Sequence, residues 1–170
     1  MGSKFWGFSL AVYSAEAVER ECLVLQDQFG LDINLLLLCA FLGVVRGVTL
    51  TADDIVSACA EVASWHDDIV RPLRAARRRL KTVELPDARL TEAAAQLRTR
   101  VKAAELESEY VEQLMLERWA DVRLAARPRG EPRDAAAANL QILLKSYGAT
   151  EPLDAVTHLL AAALARPAKT

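Results

Sequence analysis

The chain has 170 residues, which is enough for one domain with a substantial core. Hydrophobic residues make up 52 % of it and charged residues 26 %, which excludes a disordered or fibrous protein. The formal charge is −2, which excludes general polycation behaviour towards nucleic acid.

Helix start and stop signals follow one another from the beginning of the chain. Ser3 precedes an aromatic-rich segment over 5–13, and Ser14 precedes a second segment with one apolar face that ends at Gly30. These signals predict two short helices. We expect the aromatic side chains of the first helix to close the core.

The third predicted helix is the most apolar part of the chain. Asp32 is its expected N-cap, and its apolar stretch covers 33–45 before Arg46 and Gly47 end the helix. Thirteen residues are too few to cross a bilayer, which needs about 20. The stretch is therefore typical of a buried core helix, and we expect Asn34 within it to complete the N-terminal cap or to contact a ligand.

The next segment shows the most regular apolar spacing. Thr51 and Asp54 resemble a capping box. Behind them, steps of four and three residues predict one buried seam, formed by Ile55, Cys59, Val62, His66, Ile69, Leu73, Ala76 and Leu80. Pro72 lies inside this seam and predicts a kink or a break near 68–71, because proline lacks an amide proton and crowds the preceding turn.

The remainder predicts one long helix and two shorter ones. Residues from about 90 to 126 lack Gly and Pro and are rich in helix-forming side chains. A straight helix of this length exceeds a compact domain of this size, so we expect it either to break near Ser108 or to project from the bundle. Residues 127–133 form a loop, after which Asp134 is expected to cap a helix that ends near Gly148. A last helix is expected from Thr150 to about residue 165.

These elements predict an all-α fold. We expect a single-domain bundle of six to seven helices, with 1–126 as the main bundle and 134–170 as a C-terminal helical hairpin packed on it. The three cysteines are an odd number without a C-x-x-C motif, and the first residues lack a signal-peptide pattern. Both features favour a cytoplasmic protein with reduced, buried thiols.

Charge is segregated along the chain. Residues 1–70 carry a net charge of −7, 71–102 carry +7, 103–126 carry −4 and 127–170 carry +2. Such blocks either pair internally across helices or form a surface for a partner. The acidic face expected for internal pairing consists of Glu105, Glu109, Glu112 and Glu117.

The strongest candidate site surrounds Pro72. Steps of three and four residues place four cations on one helix face: Arg71, Arg74, Arg78 and Lys81. Clustered guanidinium groups bind phosphate or carboxylate, although a basic face opposite an apolar one is also typical of a solvated helix surface. The adjoining candidates for ligand or partner binding are Trp65, His66, Asp67 and Asp68.

The sequence predicts no metal site and no cofactor, and it identifies no catalytic residue. Only one other histidine, His158, is present, and no pair of His or Cys residues has ligand spacing. Motifs for nucleophilic catalysis and phosphate-binding loops are also absent. These observations favour a non-catalytic role without deciding the question.

The chain resembles a family of small bacterial proteins, found mainly in proteobacteria and known as a domain of unknown function. The resemblance covers roughly 4–125 and rests on three blocks, FWxFSLxVY at 5–13, LQDxxGxDxNLLL at 25–37 and VRPLRxxRRxLK at 70–81, with Trp65 before the third. It implies a cytosolic bacterial protein and no particular activity.

Two functions remain. The first is an interaction or adaptor module that uses separate basic and acidic helix faces for a protein partner. The second is a module, or small enzyme, that binds an anionic ligand near Pro72 through Arg71, Arg74 and Arg78, with His66 or Asp67 transferring protons. The sequence argues against membrane and nucleic-acid partners, and its apolar faces would also suit a homodimer.

Overall fold

The computed structural model describes residues 2–150 and 153–166. Its helices, in chain order, are α1 (Lys4–Tyr13), α2 (Val18–Phe29), α3 (Ile33–Arg46), α4 (Ala52–Trp65), α5 (Arg71–Thr82), α6 (Ala88–Arg123), α7 (Pro132–Ser146) and α8 (Thr157–Leu164). A π-helical turn over His66–Val70 joins α4 to α5, and a 3₁₀ turn over Asp154–Val156 precedes α8.

The all-α prediction is confirmed for the described residues. Helix α4, the π turn and α5 form one continuous helix over 52–82. Counted in this way, the described residues contain seven helices and no strand. Within the same residues, no helix combines the length and the apolar character that a membrane span requires.

Most of the predicted helix ends are confirmed by their hydrogen bonds. Ser3 Oγ accepts from Trp6 N at 2.9 Å, and Asp32 Oδ1 accepts from Asn34 N at 2.8 Å. Thr51 and Asp54 form the full capping box. At the other ends of α2 and α3, Gly30 and Gly47 both have φ near 65°, where a side chain would be strained.

Three predicted helix starts differ from the structure. Ser14 ends α1 instead of capping α2, which begins at Val18 after Ala17. The N-cap of α7 is Glu131, because Pro132 occupies the first turn and makes an earlier start favourable. The last helix begins at Thr157, later than predicted, and the predicted start and end signals at 151–152 and 167 lie outside the described residues.

The core forms around α3, which is buried from Asn34 to Val44. Helix α7 packs along it, and a Cβ on Gly43 would lie only 2.2 Å from Ala136 Cα, so glycine is required at this approach. Phe5 and Phe8 of α1 pack on Phe41, with ring centroids 5.2 and 5.4 Å apart. The prediction that α1 closes the core is therefore confirmed.

The seam predicted through Pro72 is correct only in its first half. Ile55 and Val62 are buried, but Ile69 is 38 % exposed and Val70 is fully buried in its place. The π turn explains this shift, since its 71→66 hydrogen bond includes one residue more than an α turn and rotates all that follows. The irregularity expected at Pro72 thus takes the form of a π turn within a continuous helix.

The predicted long helix is confirmed as α6, whose 36 residues span about 54 Å. A compact domain of this size has a diameter of only about 40 Å. The helix continues through Ser108 without a break. No residue from 71 to 104 is buried, and the apolar core includes none of them. We call these residues, which comprise α5, the connection after it and the first half of α6, the basic hairpin.

Candidate functional site

The structure brings four of the eight predicted site residues to one surface depression of about 360 Å³. Its lining consists of Gln26, Asp27, Gly30, Leu31, His66, Arg71, Arg74, Ala75 and Arg78. The other four predicted residues lie elsewhere. Asp67, Asp68 and Lys81 are exposed, and Trp65 Nε1 donates to Ser108 O, which fixes the end of α4 to α6.

The arginines at the depression are already paired within the protein. Arg74 donates to Glu105 at 3.2 Å and to Glu109 at 2.7 Å, and its side chain is only 14 % exposed. Arg71 pairs with Asp67 at 3.1 Å, and Arg78 pairs with Asp27 of α2 at 3.2 Å. Arg74 therefore holds α5 on α6, whereas Arg71 and Arg78 lie at the exposed rim.

The predicted acidic face of α6 is largely internal. Glu105 accepts from both Arg74 and Arg77, and Glu112 is fully buried against His66. Glu117 accepts from the backbone amide of Phe5 at 3.2 Å. Charge segregation left two roles open for these carboxylates, pairing within the protein and contact with a partner. The structure shows that they pair within the protein.

A buried polar cluster lies beneath the depression. His66 Nδ1 lies 3.4 Å from Asp32 Oδ2 and 3.3 Å from each carboxylate oxygen of Glu112. The three side chains come from the start of α3, the π turn and the middle of α6. Asn34 Oδ1 also accepts from Gln113 Nε2 at 2.8 Å, so α3 and α6 are joined twice.

The pKa values of the two buried carboxyl groups, Asp32 and Glu112, are shifted in opposite directions. Burial raises the pKa of Asp32 well above its usual range, and the neighbouring carboxyl of Glu112 raises it further. For Glu112, burial also raises the pKa, but hydrogen bonds with His66, Asp32 and Asn34 outweigh it, so that its pKa is lowered. The arrangement therefore favours a proton on Asp32 and a charge on Glu112.

The surrounding carboxyl groups determine which tautomer of His66 is favoured. A carboxylate can only accept, so its contact with Nδ1 places a ring proton on that nitrogen. Among the described residues, none forms a hydrogen bond with Nε2, and the ring lines the depression. In its neutral form, His66 thus has a lone pair on Nε2 that no described residue uses.

Sequence reasoning identified His66 but not the partners that define its surroundings. Asp32 was predicted only as a helix cap, and Glu112 only as one of four acidic residues on a helix face. They lie 34 and 46 residues from His66, so no local spacing links them. Asn34 was the available signal, because a polar side chain on an apolar helix requires a partner, and that partner is Gln113.

A second candidate surface lies on the basic hairpin, which has ten basic and three acidic side chains. Six of the cations form no ion pair with any residue in the described ranges: Arg79, Lys81, Arg89, Arg98, Arg100 and Lys102. Leu90 and Leu97 lie among them and are 45 % and 43 % exposed. The hairpin thus combines unpaired positive charge with exposed apolar side chains.

Comparison with known proteins places the chain in a family without assigning it an activity. No curated protein and no solved structure matches it. One family model matches residues 4–116, which include the buried polar cluster, the depression and the basic hairpin. The chain therefore belongs to the family described as "Protein of unknown function (DUF2390)".

Proposed function

We propose that this protein is an interaction module whose basic hairpin binds an acidic helical segment of another protein. The proposal rests on the face of α6 that contains Leu90 and Leu97. These leucines are seven residues apart, and a helix turns about 100° per residue, so they lie on one line along the helix. Cations flank that line, with Arg89 and Arg100 on one side and Arg98 and Lys102 on the other.

This pattern suits a helix better than a nucleic acid. Apolar side chains repeated every seven residues pack against a second helix, and charges on both flanks select a partner of opposite charge. Phosphate backbones would use the cations but would leave both leucines without an apolar contact. The hairpin also has no aromatic side chain on which a base could stack.

Site-specific photo-crosslinking in cells tests the proposal. A photoreactive residue replaces Leu97 in one variant and Val122 in a control, because Val122 is also an exposed apolar position on α6. We expect the Leu97 variant to form an adduct with one protein, through a segment rich in Asp and Glu, and the Val122 variant to form none. Adducts with nucleic acid at Leu97, or equal adducts at both positions, would contradict the proposal.

The captured partner then allows a quantitative test with purified proteins. Reversing charge with Arg89→Glu and Arg100→Glu should weaken binding about tenfold or more, since like charges then face the acidic segment. Arg118→Glu is the matched control on the same helix, beyond the hairpin, and should leave affinity unchanged. Circular dichroism of both variants should equal that of the unmodified protein, because the reversed residues are exposed.

The depression favours a second function, the binding of a small carboxylate or phosphate ligand. Arg71 and Arg78 lie at its rim and His66 at its wall, which provides cationic and hydrogen-bonding groups around one concave surface. Inorganic phosphate should shift the His66 ring signals in the NMR spectrum, and Arg71→Gln with Arg78→Gln should abolish the shift. Unchanged ring signals at millimolar phosphate would contradict this function.

A further inference from the structure

We propose that Asp32, His66 and Glu112 form a binding site for a divalent transition-metal ion, with Zn²⁺ as the best fit. Each residue offers one ligand atom, and the three atoms lie within 4.8 Å of one another. One imidazole nitrogen and two carboxylate oxygens are ligands that Zn²⁺ accepts, with water in the remaining position. This site does not depend on the proposed interaction of the basic hairpin.

The distances fit a tetrahedral ion. Ligand atoms about 2.0–2.1 Å from such an ion lie about 3.3–3.4 Å from each other. His66 Nδ1 lies 3.4 Å from Asp32 Oδ2 and 3.3 Å from both oxygens of Glu112. These separations are longer than a strong charge-assisted hydrogen bond, which is about 2.7–2.9 Å. The two separations from His66 Nδ1 thus match a bound ion, and the Asp32 and Glu112 oxygens lie within 4.8 Å of each other.

The charge around the cluster also fits a divalent ion. Four carboxyl groups meet between α3, α5 and α6, from Asp32, Glu105, Glu109 and Glu112. Only two guanidinium groups, from Arg74 and Arg77, oppose them. Without an ion, a proton on Asp32 reduces the excess of negative charge. When an ion binds, Asp32 gives up this proton, and the four carboxylates then exceed the two guanidinium groups by two negative charges, which a divalent cation balances.

A third observation is a buried acceptor without a donor on Gln113, the residue that follows Glu112 in the chain. Gln113 is 2 % exposed, and its Oε1 has no hydrogen-bond partner among the described residues. Its Nε2 bonds to Asn34, which in turn lies against Glu112. Buried acceptors of this kind are normally satisfied by ordered water. The buried Oε1 therefore leaves one acceptor for a group that the described residues do not supply.

The site has a route for entry and no need of further protein ligands. His66 belongs to the lining of the depression, so an ion from solvent can reach this side chain. At Nδ1 the ion would take the place of the ring proton, which would then be carried by Nε2. The expectation that the chain has no metal site considered only histidines and cysteines close in sequence. The fold supplies the two missing ligands from α6 and from the start of α3.

Metal titration of the full-length protein after treatment with a chelator tests the site. Isothermal calorimetry with Zn²⁺ should show one ion per chain, and saturation should raise Tm by several degrees. Glu112→Gln should abolish both effects while keeping the shape of the side chain. His158→Ala is the matched control, because His158 also contacts a carboxylate, Glu21, but lacks a third ligand.

A second readout does not depend on a variant that removes a ligand. The chain contains two histidines, so comparison with His158→Ala assigns the ring signals of His66 in the NMR spectrum. Zn²⁺ should move the His66 signals and leave those of His158 in place. Absence of stoichiometric binding, or binding that is lost in His158→Ala and retained in Glu112→Gln, would overturn the proposal.

Discussion

The bundle around α3 and the basic hairpin contain similar helices, but their side chains are buried to very different extents. In the bundle, α3 is buried over most of its length and α7 packs directly against its glycine. In the hairpin, no residue is fully buried, Leu73, Leu80 and Val101 are half-buried, and Arg74 and Arg77 pair α5 with Glu105 and Glu109 of α6. The bundle thus has extensive apolar burial, whereas the hairpin combines ion pairs with apolar side chains that are at most half-buried.

This difference in burial suggests different roles for the two regions: the bundle stabilises the fold, and the hairpin offers a surface for a partner. Apolar burial contributes most of the folding free energy of a domain, so substitutions in the bundle should be costly. A helix pair without buried side chains contributes little to the core and leaves most of its surface free for a partner. Substitutions should therefore cost most stability in the bundle and least on the exposed surface of the hairpin.

The first prediction compares leucines in the two regions. Leu140 of α7 is fully buried, and Leu140→Ala should lower the free energy of unfolding by about 2–5 kcal/mol, because it leaves a cavity. Leu97→Ala on the hairpin should change it by less than about 0.5 kcal/mol. Urea denaturation measures both, and comparable losses would show that the hairpin belongs to the core.

The second prediction concerns the ion pairs that hold the hairpin. Glu105→Gln should cost about 2–3 kcal/mol, because it removes the carboxylate shared by Arg74 and Arg77. Glu107→Gln, an exposed position on the same helix, is the control and should have almost no effect. Thermal and urea unfolding measure both variants. If Glu105→Gln were as stable as the unmodified protein, these ion pairs would contribute nothing to the free energy of unfolding.

The third prediction tests the register set by the π turn. Val70→Ala should cost about 2 kcal/mol, because Val70 is fully buried, whereas Ile69→Ala should cost less than about 1 kcal/mol. A regular α-helix through this segment would bury Ile69 instead. Chemical denaturation measures the free energy of unfolding of both variants. A larger loss for Ile69→Ala than for Val70→Ala would contradict the π turn.

The fourth prediction concerns pH and has the smallest expected effect. Burial alone would raise the pKa of Asp54, but its hydrogen bonds with Thr51 and Arg123 and the charge of Arg127 lower it below the usual value. The stability due to its charge is therefore present above the ordinary Asp pKa, near 4, and is lost as pH falls through the lowered pKa. The stability difference between the unmodified protein and Asp54→Asn should narrow below pH 4. A difference that stays constant would exclude a lowered pKa.

The regular parts of the fold were predictable because their signals are local. Ser3, Asp32 and the Thr51–Asp54 pair mark helix starts through contacts within three residues, and the glycines after α2 and α3 mark their ends. The apolar run of α3 was correctly expected to be a core helix. Such features depend on neighbouring residues alone.

The register beyond His66 was not predictable in the same way. A pattern of fours and threes assumes an unbroken α-helix, and one additional residue in the π turn moves Val70 into the position expected for Ile69. The same rotation turns Arg74 towards Glu105 and Glu109, so a residue expected on an open basic face lies in an internal ion pair. Reversing its charge would disrupt the hairpin as well as any ligand site.

The candidate sites were predictable only where one segment carries them. Arg71 and Arg78 were identified with His66 because all three belong to one stretch of helix, and the structure places them around one depression. Asp32 and Glu112 reach His66 only through the packing of α3 and α6. Spacing along the chain carries no information about such contacts.

Hydrogen exchange of the full-length protein, followed by mass spectrometry, tests the division between bundle and hairpin most directly. Amides of α3 and α7 should exchange only through global unfolding, whereas those of α5 and residues 88–104 should exchange through local opening at much lower free energy. We expect this order of protection to persist in a sample free of any partner. Equal protection of the hairpin and the bundle would contradict the account, because it would make the hairpin part of one cooperative core.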